Sequence, residues 1–262
     1  MTDEIRIGDV SVVIGDDFVA TVTIQRPPEN YFDVTLIGSL ADAYEMLDGD
    51  ARCRAIVLRS EGRHFCAGAQ FGGPRPTPAD GPQAGPHLYD EAIRMFAADT
   101  PVVAAIQGGA IGGGLGVALS ADFRVGVPEA RMSANFARLG FHQGFGLTVT
   151  LPAVVGQQRA MEMLLIGSRL DGRRCFEIGL LDRLVSREEL DEAARAFAVD
   201  IAGSAPIAVH SIRQTMRTGL IERLRAATDR EKSEQERHWA TSDFLEGVAS
   251  TKERRPPRFT GT

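Results

Sequence analysis

The apolar positions fall into two textures. Through roughly the first half of the chain, short β-branched runs alternate with stretches of helical spacing; from residue 158 onward only helical spacing remains. Residues 10–14 and 18–25 are apolar runs split by Gly15-Asp16-Asp17, the pattern of a hairpin. Arg26-Pro27-Pro28-Glu29-Asn30 ends the second run. Residues 36–47 place Leu36, Leu40, Ala43, Tyr44 and Leu47 on one helical face. Residues 55–58 and 101–106 predict short buried strands, 113–120 a helix and 123–127 a strand. This strand–helix–strand order predicts an α/β fold with a mostly parallel sheet. Residues 158–166, 188–202, 207–218 and 220–241 predict helices, the third with Pro206 at its first turn. The change of texture divides the chain near residue 200. Residues 1–200 form the core, and 201–262 form a helical C-terminal region. That region is too short and polar for a core of its own. It is expected to pack on another surface, its own or a neighbour's.

Length and charge narrow the classes. The 262 residues suffice for one large α/β domain. A net charge of -6 argues against a general nucleic-acid binder. No apolar run is long enough to span a bilayer, and Met1-Thr2-Asp3-Glu4 lacks a signal-peptide core. The expected compartment is the cytoplasm. Lys232 and Lys252 are the only lysines, both in charged surroundings, so Schiff-base and phosphate-loop chemistry lack their residue. Cys53, Cys66 and Cys175 suggest neither disulfides nor zinc, the histidines show no H-x-x-x-H spacing, and no G-x-S-x-G elbow exists. No metal is expected.

Glycine placement is more informative. Residues 72–86 hold five prolines and four glycines and predict a loop, either a binding loop or a surface insertion. His87 and Tyr89 follow it and read as helix-surface residues or, alternatively, as lining for the far end of a ligand. Two glycine-bearing turns, residues 65–71 and 108–116, each follow a predicted parallel strand, where open α/β sheets hold ligands. Small residues there expose backbone N–H groups. The second turn opens directly into a helix, whose first N–H groups lack intrahelical partners and suit an anion or a polarised carbonyl. One N–H from each turn would make an oxyanion hole. The glycines would also serve close helix–strand packing.

At these residues the chain resembles the enoyl-CoA hydratase/isomerase (crotonase) family. The matching landmarks are residues 21–27, 54–58, Phe65-Cys66-Ala67-Gly68-Ala69, 101–108 and Gly112-Gly113-Gly114, then Ala121-Asp122-Phe123-Arg124, 179–185 and Glu246-Gly247 with Arg254-Arg255-Pro256. The resemblance spans nearly the whole chain. It implies a spiral of ββα units followed by a helical region that assembles a homotrimer, often as a dimer of trimers. It implies an acyl-CoA or enoyl-CoA substrate in fatty-acid metabolism, with coenzyme A as part of the substrate and no prosthetic group. The thioester oxygen would sit between the N–H groups of Ala69 and Gly113. Pro28, Asn30 and Ala67 match positions near the CoA adenine and pantetheine. Arg254 matches a basic position that reaches CoA from the C-terminal region, and reads equally as a solvated charge.

The two glutamates of family hydratases are missing. Gly116 and Phe136 stand at their positions, and neither ionises. A positioned proton carrier contributes roughly a hundredfold to ten-thousandfold. His142 has an ordinary pKa suited to acid/base work in their place, and reads otherwise as a hydrogen-bonded structural histidine beside the pocket; Gln143 could orient a water or a polar acyl group. His64 reads as structural or as lying near the CoA, and Cys66 as packing and not as a nucleophile. Four readings follow: a nominal enoyl-CoA hydratase/isomerase, another thioester-enolate reaction, thioester hydrolysis, or acyl-CoA binding without catalysis.

Overall fold

The computed structural model describes residues 4–69 and 87–262. Strands β1 (Ile5–Ile7), β2 (Val10–Ile14) and β3 (Val19–Ile24) form an antiparallel meander. Its second turn is the expected Gly15-Asp16-Asp17, with the Gly15 N–H on the Val19 carbonyl at 2.9 Å. Helix α1 (Val34–Asp48) starts where the Asp33 carboxylate accepts the Leu36 N–H at 2.9 Å. After β4 (Ala55–Ser60), α2 (Leu88–Ala97) opens on a capping box built by a histidine. The His87 Nδ1 accepts the Tyr89 N–H at 3.1 Å, while Asp90 accepts the His87 N–H at 3.3 Å. The Pro- and Gly-rich segment 72–86 lies outside the described residues.

Strand β5 (Val102–Ile106) is buried along its whole length, as a continuous apolar run in a parallel sheet should be. It is followed by β6 (Gly109–Ile111) and α3 (Gly113–Ser120), then β7 (Phe123–Gly126), β8 (Arg131–Ser133) and a 3₁₀ turn at Asn135–Leu139. Next come α4 (Leu147–Val155), α5 (Gln157–Ile166), β9 (Leu170–Asp171), α6 (Gly172–Glu177) and β10 (Arg183–Leu184). Helices α7 (Leu190–Ala202), α8 (Pro206–Met216), α9 (Leu220–Trp239) and α10 (Ser242–Glu253) complete the chain.

The larger sheet has the order β1-β2-β3-β4-β5-β7-β10, parallel from β3 onward. A smaller sheet, β6-β8-β9, takes the strand that follows β5 and the strand that follows β7. The pairs β5–β6 and β7–β8 thus each step from the larger sheet to the smaller one before the chain turns helical, the pattern of the expected spiral. Helix α7 lies along β3, β4, β5 and β7, and α1 covers β1 to β3 and packs on α2.

Several elements differ from expectation. Helix α4 has no counterpart in the sequence reading, because Thr148, Val149 and Thr150 disfavour a helix and Pro152 interrupts it. The long final helix ends at Trp239, and Thr241 caps a new one by accepting the Phe244 N–H at 3.2 Å. Tyr89 is buried instead of lying on a helix surface, its hydroxyl donating to Gln235 of α9 at 2.9 Å.

The C-terminal helices attach through the core residues Leu224 and Phe244 and through a set of polar contacts. Helix α9 packs on α2 and α4, burying Leu224 beside Thr228, Glu231, Glu234 and Gln235. Helix α8 buries no residue and is held by Arg213 and Arg217, 3.0 and 3.5 Å from the Asp122 carboxylate. Its Ile207 and Met216 are 86% and 79% exposed, which leaves an apolar face open.

Candidate active site

The two glycine turns are joined along their length. The Cys66 N–H donates to the Gly109 carbonyl at 2.9 Å, and the Ile111 N–H donates to the Cys66 carbonyl at 3.0 Å. The approach is close enough to require glycine. A Cβ on Gly114 would lie 2.1 Å from the Cys66 carbonyl oxygen, and one on Gly68 would lie 2.8 Å from that of Ile111. Gly112, at φ 57 and ψ −120, turns the chain into α3 in a backbone conformation open only to glycine. Burial pushes the Cys66 thiol up to about 12, so it packs and does not act as a nucleophile.

This geometry leaves donors at the head of α3. The Gly112 N–H is taken by Ser133, and the N–H groups of Leu115 and Gly116 turn back to the Gly112 carbonyl. Among the described residues the N–H groups of Gly113 and Gly114 have no acceptor. In the first turn the Ala67 N–H donates to Glu29 and the Gly68 carbonyl accepts from Phe32, while the Ala69 N–H has no acceptor among the described residues. Ala69 and Gly113 therefore occupy the ends of two turns bonded side by side.

A third loop supports both. Pro28 is exposed, and its carbonyl accepts the His64 N–H at 3.2 Å. The Asn30 side chain is fully buried and saturated. Its amide donates to the carbonyls of Glu61 and His64 at 2.7 Å each, and its oxygen accepts the Arg26 N–H at 3.0 Å. Asn30 thus shapes the loop, its side-chain amide engaged with main-chain groups. Gln107 does similar work, donating to the Ser60 hydroxyl at 2.8 Å and the His64 carbonyl at 3.1 Å.

Aromatic rings close over α3. A Cβ on Gly116 would meet Phe145 atoms at 2.6 to 2.8 Å, and one on Gly113 would lie 2.4 Å from Phe32. Phe32 and Phe145 pack at 5.4 Å between ring centroids. Phe136 reaches within 3.7 Å of a Cβ placed on Gly112 and stacks edge-on with Phe141. Both positions held by glutamates in the resembled hydratases are buried and apolar.

Phe145 and Gly146 both have left-handed backbones, at φ 61 and 72. Glu231 of α9 stabilises this bend by accepting the N–H groups of Gly146 and Thr148 at 2.9 and 3.0 Å and the Thr148 hydroxyl at 2.5 Å. It caps α4 from another helix, since Gly146 at the N-cap carries no side chain. Burial holds the Glu231 carboxyl above its ordinary value despite these donors. Phe32, Phe145 and Glu231 had no signal in a linear reading, because their roles depend on contacts distant in sequence.

His142 is half-buried, and its contacts lie with α9 and its own loop. Its N–H donates to His238 Nδ1 at 3.1 Å, and its carbonyl accepts from Gln235 at 3.1 Å. Its Nδ1 lies 2.8 Å from the Gln143 carbonyl, which can only accept, so Nδ1 carries a proton. The Gln143 amide donates to Thr148 at 3.1 Å. Arg254 is exposed at the left-handed C-cap of α10, without an ion pair among the described residues. The described residues contain no cluster of metal-ligating side chains.

The sequence profile of the enoyl-CoA hydratase/isomerase family matches residues 15–262. A probable enoyl-CoA hydratase of Mycobacterium tuberculosis is 34% identical over 245 residues, covering 93% of this chain and 96% of the relative. The 1,2-epoxyphenylacetyl-CoA isomerase of Escherichia coli is 29% identical over 249 residues, covering 93% and 95%. A solved enoyl-CoA hydratase/isomerase from Pseudoalteromonas atlantica superposes with a TM-score of 0.85 at 28% identity, covering 96% of this chain and all of the other. The expected crotonase fold is borne out, and the chain belongs to the enoyl-CoA hydratase/isomerase family.

Proposed function

We propose that this protein binds an acyl-CoA thioester with its carbonyl oxygen between the N–H groups of Ala69 and Gly113, and stabilises the charge that develops when the thioester becomes an enolate. The observation that carries this reading is the uncommitted Gly113 N–H at the head of α3, on a turn bonded through Cys66 and Ala110 to the turn ending at Ala69. The α3 dipole adds partial positive charge there. Each such donor contributes about 3 kcal/mol to the transition state. Pro28 and Ala67 would border the CoA chain, and Arg254 would meet its phosphates. Coenzyme A enters only as part of the substrate.

Hydration is not the proposed reaction. Gly116 and Phe136 supply no carboxylate, and Phe145 fills the space beside Gly116. Proton transfer within an enolate, as in isomerisation, asks less of the site. His142, protonated on Nδ1, keeps its Nε2 lone pair available as the carrier. The same aromatic filling favours a second reading, acyl-CoA binding without turnover.

We also propose that residues 201–262 assemble subunits, as a trimer or a dimer of trimers, through the apolar outer face of α8. No described helix is long and apolar enough to cross a membrane, and a cytoplasmic protein of fatty-acid metabolism fits this reading. Calorimetric titration with acyl-CoA thioesters, paired with a crotonyl-CoA hydration assay, tests the proposal. Binding without rapid hydration is expected, whereas absent binding or hydration at ordinary enzymatic rates would overturn it.

A further inference from the structure

We propose that His64 is the positioning residue of the acyl-CoA site, and that its neutral imidazole, protonated on Nε2, holds the second glycine turn in register with the first. The proposal rests on the reading of Ala69 and Gly113 as carbonyl donors. Its basis is one contact. The His64 Nδ1 accepts the Gly109 N–H at 3.1 Å, which requires a lone pair on Nδ1 and leaves the proton on Nε2. The fit depends on glycine, because a Cβ on Gly109 would lie 2.7 Å from that nitrogen.

The main chain of His64 ties the remaining loops. Its N–H donates to Pro28 at 3.2 Å. Its carbonyl accepts from the Asn30 amide at 2.7 Å and from Ser60 and Gln107 at 3.1 Å each. A Cβ on Gly108 would lie 2.1 Å from the Arg63 carbonyl, so only glycine lets the second turn approach this loop so closely. One residue thus joins the loop at Pro28, the turn to Ala69 and the turn to Gly113. Among the described residues, the other hydrogen bonds between the two turns run through backbone or amide groups, which do not titrate near neutrality.

Protonation turns this link into a clash of two donors, Nδ1–H against the Gly109 N–H. Burial opposes that protonation, as do the charges of Arg63 and Arg169, while Glu29 favours it. Above the range where His64 titrates the latch is closed. Below it, the second turn loses its anchor, and the Gly113 N–H loses its placement relative to Ala69.

The test compares wild type with His64→Asn and His64→Ala. An asparagine oxygen can accept the Gly109 N–H but does not titrate. Binding of one saturated acyl-CoA is measured by calorimetry between pH 7.5 and pH 5.5, so proton uptake by the ligand is common to all three proteins. At the upper pH, H64A should bind about tenfold more weakly, the size of one lost hydrogen bond, and H64N should recover most of that loss. Wild-type affinity should fall on acidification, with up to one more proton released on binding than in H64N. Identical pH profiles for wild type and H64N, or undiminished affinity in H64A, would overturn the proposal. A measurement without ligand separates it from the reading beneath it. The amide resonances of Gly109 and Gly113 should follow one titration in 15N-labelled wild type and lose it in H64N. If they do, yet no acyl-CoA binds, the ligand assignment fails and the positioning role stands. If they do not move, the positioning role fails.

Discussion

Phe145 occupies the space into which a side chain at Gly116 would grow. A Cβ added to Gly116 would lie 2.6 Å from the Phe145 Cδ1 and 2.7 Å from its Cβ, too near the backbone for a rotamer change to relieve. The missing carboxylate on α3 is therefore more than one substitution away. Replacing Gly116 by Glu should destabilise the protein by about 1–3 kcal/mol through overpacking, and not confer hydration. Gly116→Glu combined with Phe145→Gly should be less damaging than the sum of the two. Urea midpoints across the cycle measure the coupling, expected at about 1 kcal/mol or more. Strict additivity would mean that the two residues do not share this space.

Glu231 bears on the same point from another helix. Replacing it by Ala leaves the buried N–H of Gly146 unsatisfied and removes the acceptor of the part-buried Thr148 N–H and hydroxyl. The expected cost is about 3 kcal/mol. Glu231→Gln keeps one acceptor and should cost less. Equal midpoints for the wild type and the Ala variant would remove Glu231 as the cap of α4.

Acid should weaken the fold at two further histidines. His87 accepts the Tyr89 N–H at the start of α2, and His238 accepts the His142 N–H, each through Nδ1 at 3.1 Å. Burial, with Lys232 near His87 and Arg237 near His238, holds both below the ordinary value of 6.5. The unfolded chain takes up these protons first as pH falls. Their contribution is complete above about 6.5 and is lost as pH drops below it. Thermal midpoints should decline from pH 7.5 to pH 5.5, and more shallowly in the His238→Asn variant.

The proton carrier has a separate test. If His142 moves a proton of the enolate, His142→Ala should lower turnover at least a hundredfold while acyl-CoA affinity changes less than about threefold. Steady-state kinetics beside a binding titration separate the two effects. Unchanged turnover would leave the site without this base.

What the sequence made visible follows from the range of each interaction. β2 and α3 matched their predicted bounds because contiguous apolar runs and a glycine-led helix are local signals. β9 and β10, two residues each, have no periodicity to read. The glycine turns were legible because only glycine fits their contacts. Phe145 was not, since its place over Gly116 depends on a left-handed backbone fixed by Glu231, which lies 85 residues from Gly146. Asn30 was legible as part of the site's loop, but its saturation by three main-chain groups needed the folded partners.

The proposed chemistry rests on two peptide N–H groups, and a bound thioester reports on them directly. Infrared difference spectra of an acyl-CoA labelled with 13C at the thioester carbonyl would read the polarisation of that bond. A shift to lower frequency is expected on binding to the wild type, reduced in Ala69→Pro, which removes one donor. An unshifted carbonyl in a saturated complex would contradict it.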